Sequence, residues 1–253
     1  MKSGDAKAKL TELMTQTTLL YKARNGTPEE MNQANQLLML RYSGAVHRYL
    51  LKVVGDPEVA RDLNQEFSLK FLDGKFRQFD RSRGRFRDYL KRAVHNLMMD
   101  HFRKKKGVAH LDTDMEAAIV GDVGLKDFDE QFLLSWRQDL MARAWQALKD
   151  HEQNTGQPYW QVMRLRLARP QLRSPDLAKE LSERIGRPVT AGSLRQILHR
   201  ARDKFTEFLI SEVRVTLGDP SRDQVEEELG DLKLLEFCKP SLARIKFDDG
   251  DDR

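Results

Sequence analysis

From Phe86 onward the chain reads FRDYLKRAVHNLMMDHFRKKK. Phe86, Tyr89, Leu90, Ala93, Val94, Leu97 and Phe102 recur at the spacing of one helical stripe. The same period runs through most of the 253 residues, and no stretch of useful length alternates apolar and polar positions. No internal repeat is visible. These features restrict the chain to an all-α fold.

The helical stretches have readable ends. Residues 30–54 carry Leu37, Leu40, Val46, Tyr49, Leu50 and Val53 at helical spacing. Gly55-Asp56-Pro57 then breaks the chain, with Asp56 suited to cap a new helix and Pro57 to its first turn. That helix is expected to end near Gly74, and FDRSRG (79–84) reads as a loop. Residues 107–126 are acidic, glycine-punctuated and weakly periodic, which suits a linker. Helical pattern resumes at DEQFLLSWRQDLMARAWQALKDH (129–151) and continues through YWQVMRLRLA (159–168). The expected organisation is two helical domains joined by a flexible linker: an N-terminal extension 1–30, a first domain 31–106, a linker 107–130, a second domain 131–210 and an acidic C-terminal extension 211–253.

Charge is unevenly distributed. Between Lys75 and Lys106 twelve basic residues stand against Asp80, Asp88 and Asp100, a surplus of nine. The whole chain carries only +5, so the remainder sums to −4. A concentrated basic segment is the electrostatic footprint of a phosphate-backbone binder. Asp88, Arg92, Asn96, Met99 and Arg103 fall on one helical face, where Arg and Asn suit base and phosphate contacts and Tyr89 nearby suits stacking on an unpaired base. A core aromatic is the other reading of Tyr89.

The second domain contains SPDLAKELSERIGRPVTAGSLRQILHRARDKF, which reads as helix, tight turn, helix. Ser174 is expected as the N-cap, with Ala178, Leu181 and Ile185 facing inward and Gly186 at a C-cap that needs positive φ. Thr190 caps the next helix, whose inner face is Leu194, Ile197 (or Leu198) and Ala201. Its outer face offers Ser193, Arg195, Gln196, His199 and Arg200, the composition of a recognition helix in a helix-turn-helix. Lys179, Arg184 and Arg202 suit phosphates. A helical hairpin used only for protein contacts is the alternative.

Other classes find little support. No phosphate loop, H-E-x-x-H or nucleophile elbow is present, so the chain reads as no enzyme. Cys238 is the single cysteine, and His95 and His101 lie about 120° apart around a helix, so no metal site and no cofactor are expected. The N-terminus lacks the apolar core of a secretory signal and no run is long enough for a membrane span, which points to a cytoplasmic location without membrane insertion.

Taken in order, YLLKVVGDPEVARDLNQEFSLKF, GRFRDYLKRAVHNLMMDHFRKKK, the linker and SLRQILHRARDKF resemble bacterial RNA polymerase sigma factors. The likeness is greatest to the two-domain extracytoplasmic-function group of the sigma-70-like family, and it runs over roughly residues 37–208. The resemblance implies that Asp62, Gln65 and Glu66 dock on the clamp helices of the polymerase's largest subunit, with the polymerase flap as a further contact. It implies that Arg83, Arg85, Arg87, Tyr89, Arg92, Asn96 and Arg103 melt and capture the −10 promoter element. Ser193, Arg195, Gln196, His199 and Arg200 are then expected at the −35 element. Promoter DNA and core polymerase are the implied partners, with room for an anti-sigma factor or other regulator. His95, the Lys91-Arg92 pair and the longer turn IGRPVTAG depart from the family pattern and leave promoter preference open. The runner-up is a stand-alone helix-turn-helix regulator binding duplex DNA without polymerase; a third reading is a pure protein-interaction module. The extension is expected to contain an acidic amphipathic helix, SRDQVEEELGDLKLL, and either to screen the protein's own basic faces, to bind a regulator, or to stabilise the fold.

Overall fold

The structure is a computed structural model that describes residues 16–73, 84–106, 125–218 and 220–247. The described residues are all-α and contain no strand. The described residues form, in order, α1 (Gln16–Asn25), α2 (Pro28–Val54), α3 (Pro57–Leu72), α4 (Phe86–Lys106), α5 (Leu125–Thr155), α6 (Tyr159–Ala168), α7 (Ser174–Ile185), α8 (Ala191–Leu217), α9 (Arg222–Asp231) and α10 (Leu235–Leu242). The residues form two compact units. One takes in the chain up to Asp139 together with Arg214–Pro220, and the other takes in Leu140–Val213 and the chain from Ser221.

In the first unit, local chemistry sets the helix ends. Thr27 caps α2 in a full capping box, its hydroxyl accepting from Glu30 N while Glu30 Oε2 accepts from Thr27 N at 3.1 Å. Gly55 closes α2 at φ 72°, a left-handed conformation that costs glycine nothing. Asp56 then caps α3 by accepting from Glu58 N and Val59 N. Helix α3 stops at Leu72, two residues short of Gly74, where Asp73 N donates back to Leu69 O.

The core of this unit centres on aromatic rings. Tyr42 of α2 lies 5.0 Å from Phe86 of α4 and is stacked 5.1 Å from Trp136 of α5; Tyr49 meets Phe132 edge-on at 5.3 Å. All five are buried. The inner face of α2 is therefore Leu38, Tyr42, Ala45, Val46, Tyr49 and Leu50. Leu37 is only half-buried, and Leu40, expected on the stripe, is 69% exposed. Polar contacts join the same helices: Arg48 pairs with the buried Asp139, and Lys52 Nζ donates to Gln131 Oε1 at 3.2 Å. The first half of α5 thus belongs to this unit. The boundary falls at Asp139/Leu140, later than the composition of 107–130 suggested, because helical period alone does not say which core a stripe faces. Of the expected linker, 107–124 lies outside the described residues and 125–130 opens α5.

The second unit has a core of Val162, Leu165, Leu177, Ala178, Leu181, Leu194, Leu198 and Ala201, contributed by α6, α7 and the start of α8. Ile185 and Ile197 pack against its edge, and Leu198 is the buried member of the Ile197/Leu198 pair. Arg173, not Ser174, is the N-cap residue of α7, and it makes no side-chain capping bond. The helix begins one residue earlier than expected, which still leaves Pro175 in the first turn, where its missing N–H is harmless. Gly186 ends α7 at φ 67°. Ser182 Oγ accepts from Val189 N at 2.8 Å and donates to Ala178 O at 2.7 Å, tying the turn to the helix before it. Thr190 Oγ1 accepts from Ser193 N at 3.1 Å and caps α8.

The extension is apolar inside. Val225, Leu229, Leu232, Leu234, Cys238 and Leu242 are buried, and Phe237 meets Phe205 of α8 at 6.2 Å. Burial pushes the Cys238 thiol up to about 12, so it behaves as a small apolar group. SRDQVEEELGDLKLL is not one helix: α9 ends at Asp231 and the chain turns through Lys233 at φ 56° before α10.

Each unit has a direct stability test. Trp136→Ala is expected to destabilise the first unit by about 3–5 kcal/mol and Leu229→Ala the second by about 2–5 kcal/mol, read from urea unfolding midpoints. A loss below about 1 kcal/mol at either position would contradict the packing described.

Candidate nucleic-acid interface

Helix α4 carries a buried apolar seam and an exposed polar strip. Phe86, Leu90, Val94, Leu97, Met98 and Met99 are buried, whereas Arg92, Asn96 and Lys104 are exposed. Met99 was expected on the outer face. It lies inside at 2% exposure, and Asp100 takes its place outside. At 100° per residue position 99 falls within about 20° of Arg92 on the outer line, so helical spacing does not account for its burial. Arg103 is half-exposed and pairs with Asp100 at 3.3 Å; Arg85 pairs with Asp88 at 3.5 Å. Tyr89 is half-buried, its ring 6.4 Å from Phe86, and burial raises its phenol above the ordinary range. Arg87 is only 5% exposed and sits 3.7 Å from Asp88, inside the domain rather than on the outer face. Arg83 lies outside the described residues.

One flank of α4 is occupied from a distance in sequence. Lys91 Nζ pairs with Asp129 at 2.9 Å, and the His95 ring meets Phe128 edge-on at 6.1 Å. Neither contact is readable from the sequence, because the partners lie more than thirty residues downstream beyond an aperiodic segment. The exposed strip is therefore the line through Arg92, Asn96 and Asp100 to Arg103 and Lys104.

On α3, Ala60, Leu63, Phe67 and Phe71 are buried. Asp62 and Gln65 are exposed, and Glu66 is half-exposed with Lys70 at 2.8 Å. The Lys70 hydrogen bond holds the Glu66 carboxyl below its usual range. Leu69 and Leu72, 63% and 39% exposed, continue the same outer face, so an apolar pair stands beside the acids. Sequence reasoning missed these leucines, although both fall outside the 60, 63, 67, 71 seam.

On α8, Ser193, Arg195, Gln196, His199 and Arg200 are all exposed above the buried Leu194, Leu198 and Ala201. Arg195, Gln196 and Arg200 make no side-chain hydrogen bond or ion pair among the described residues. Lys179 and Arg202 are exposed too, while Arg184 pairs with Glu180 at 2.6 Å. His199 Nδ1 lies 3.2 Å from Asp203 Oδ2, and the same carboxylate is held by the two terminal nitrogens of Arg244 at 2.9 and 3.2 Å. The Arg244 hydrogen bonds hold the Asp203 carboxyl below its usual range.

A carboxyl lowered in the folded state favours folding above its unfolded pKa and loses that contribution as pH falls through the folded value. The stability difference between wild type and Arg244→Ala should thus be constant from pH 7 to about 5 and shrink below the ordinary aspartate range near ~4. Urea midpoints across this range check it; a difference that grows on acidification would contradict the pairing.

Among the described residues, no group of His, Cys, Asp or Glu could hold a metal ion, and no helix is long and apolar enough to cross a membrane. No curated protein and no solved structure matches the chain. Residues 38–108, which run from the α2 core through α3 and α4, match the family model described as sigma-70 region 2. The match likens this segment of the chain to region 2 of sigma-70 factors.

Proposed function

We propose that the chain is a promoter-recognition subunit of bacterial RNA polymerase, of the two-domain extracytoplasmic-function group, which opens the −10 element with α4 and reads the −35 element with the α7–α8 pair acting as a helix-turn-helix. The observation that carries this reading is the two-faced α4. Its buried seam anchors a helix whose opposite face presents Arg92 and Asn96 beside the half-exposed ring of Tyr89. Single-strand capture asks for that combination: cations for the backbone, an amide for base edges and a ring for stacking. Arg85 and Arg103 flank this strip, and Arg83 stands two residues before Arg85 in sequence. Arg87, being buried, acts through the domain's structure and not by touching DNA.

Polymerase docking falls to α3. Asp62, Gln65 and Glu66 with Leu69 and Leu72 combine acids with exposed apolar surface, which suits a protein partner and repels a phosphate backbone. This is also what separates the proposal from the runner-up. A stand-alone regulator would use the free Arg195, Gln196 and Arg200 of α8 equally well, but it would have no need of the α3 and α4 faces.

Run-off transcription with core polymerase on a promoter library is the primary test, with initiation expected from a subset of promoters and none from core enzyme alone. No initiation together with no binding to core enzyme would refute the proposal. The double variant Tyr89→Ala/Arg92→Ala should bind core polymerase normally yet open promoters about 5- to 100-fold less, since one stacked base is worth ~1–3 kcal/mol. Asp62→Arg/Glu66→Arg should do the reverse and weaken core binding by about tenfold or more through charge reversal at the contact. Equal loss of both functions in either variant would mean that these residues only support the fold.

A further inference from the structure

The C-terminal extension reaches α8 at the turn that follows its proposed DNA-reading half. Phe237 packs on Phe205, the Ser241 hydroxyl is hydrogen-bonded to that of Thr206, and Arg244 reaches Asp203. Each guanidinium nitrogen donates once: Nε to Pro240 O at 3.1 Å, Nη1 to Asp203 Oδ2 at 2.9 Å and Nη2 to Asp203 Oδ1 at 3.2 Å. A two-point fork fixes the plane of a carboxylate, which a lysine ammonium would not do. The carboxylate so fixed lies 3.2 Å from Nδ1 of His199, one turn towards the helix N-terminus, whose side chain is otherwise 73% exposed.

We propose that Arg244 is a positioning residue for DNA reading: its fork on Asp203 orients the His199 ring, so that the extension sets a base preference on α8. The inference rests on the reading of α8 as the duplex-reading helix. In the neutral ring a proton on Nδ1, donated to Asp203, leaves Nε2 as an outward acceptor. Major-groove donors are the exocyclic amino groups of adenine and cytosine, whereas guanine and thymine present carbonyl oxygens. The locked ring accordingly selects adenine or cytosine at the base it meets. Released, it samples other rotamers and tautomers and selects less.

Two measurements on the full chain test this. The first is the ring ¹⁵N spectrum of His199 at pH 8.5, above the ordinary imidazole range near ~6.5. It is expected to show Nδ1 protonated in the wild type and a mixture in Arg244→Gln, with Arg244→Lys in between should the glutamine variant fold poorly. The second is transcription by the chain with core polymerase on templates randomised in the upstream element. Wild type should favour A or C over G or T at one position by about fivefold or more, and His199→Ala, Asp203→Ala and Arg244→Gln should all flatten that same position to less than about twofold. Identical His199 spectra in wild type and Arg244→Gln would overturn the proposal. If Arg195→Ala shifts base preferences while His199→Ala and Arg244→Gln shift none, the inference fails and the reading of α8 stands. If none of the three shifts any preference, both fail.

Discussion

Tyr42 lies between Phe86 and Trp136, and the arrangement of the first unit depends on that contact. It joins α2 to the first turn of α4 and to the first half of α5. A helix as basic as α4 gains little from its own surface, where like charges repel, and is held by burying a continuous apolar seam. Phe86 begins that seam, and Leu90, Val94 and Met98 extend it at i+4 intervals. Because the seam is fixed, the opposite line of Arg92 and Asn96 is fixed as well, and the charge that a core cannot hold is left for a partner. The apolar stripe and the basic residues therefore serve different ends of one helix's work.

The same division recurs elsewhere. On α3 the buried 60, 63, 67, 71 seam leaves Asp62, Gln65, Glu66, Leu69 and Leu72 outside, and on α8 the buried 194, 198, 201 seam leaves Arg195, Gln196, His199 and Arg200 outside. The extension follows another logic. Its acidic composition suggested a screen for basic surfaces, yet its inward residues are apolar and its seat on α8 combines a ring contact, a hydroxyl pair and the Arg244 fork. Within the described residues the part from Ser221 on is packed into the second unit, so deleting the chain from about residue 215 would remove core as well as charge.

What the sequence revealed follows from where each signal is stored. Local chemistry was legible: the Asp56 cap, the left-handed Gly186, the Thr190 cap and the outward set on α8 depend on neighbours a few residues away. Signals that depend on distant partners were not. Spacing puts Leu37 and Leu40 on the α2 stripe, whereas Leu38 and Tyr42 are the buried positions, and Tyr42 meets Phe86 and Trp136 there. Spacing puts Met99 within about 20° of Arg92, yet it is buried, and no local signal gives that away. The covering of Lys91 and His95 by Asp129 and Phe128 and the Arg244–Asp203 fork bring together residues far apart in sequence.

The central claim is that α4 separates promoter strands and does not merely bind duplex DNA. It is tested most directly by 2-aminopurine placed in the non-template strand of the −10 element, with core polymerase and the chain added together. The account predicts a fluorescence rise, reporting unstacked bases, that requires the chain and is lost in the Tyr89→Ala/Arg92→Ala variant. Stable binding of the chain and polymerase to that promoter with no rise in fluorescence would contradict it.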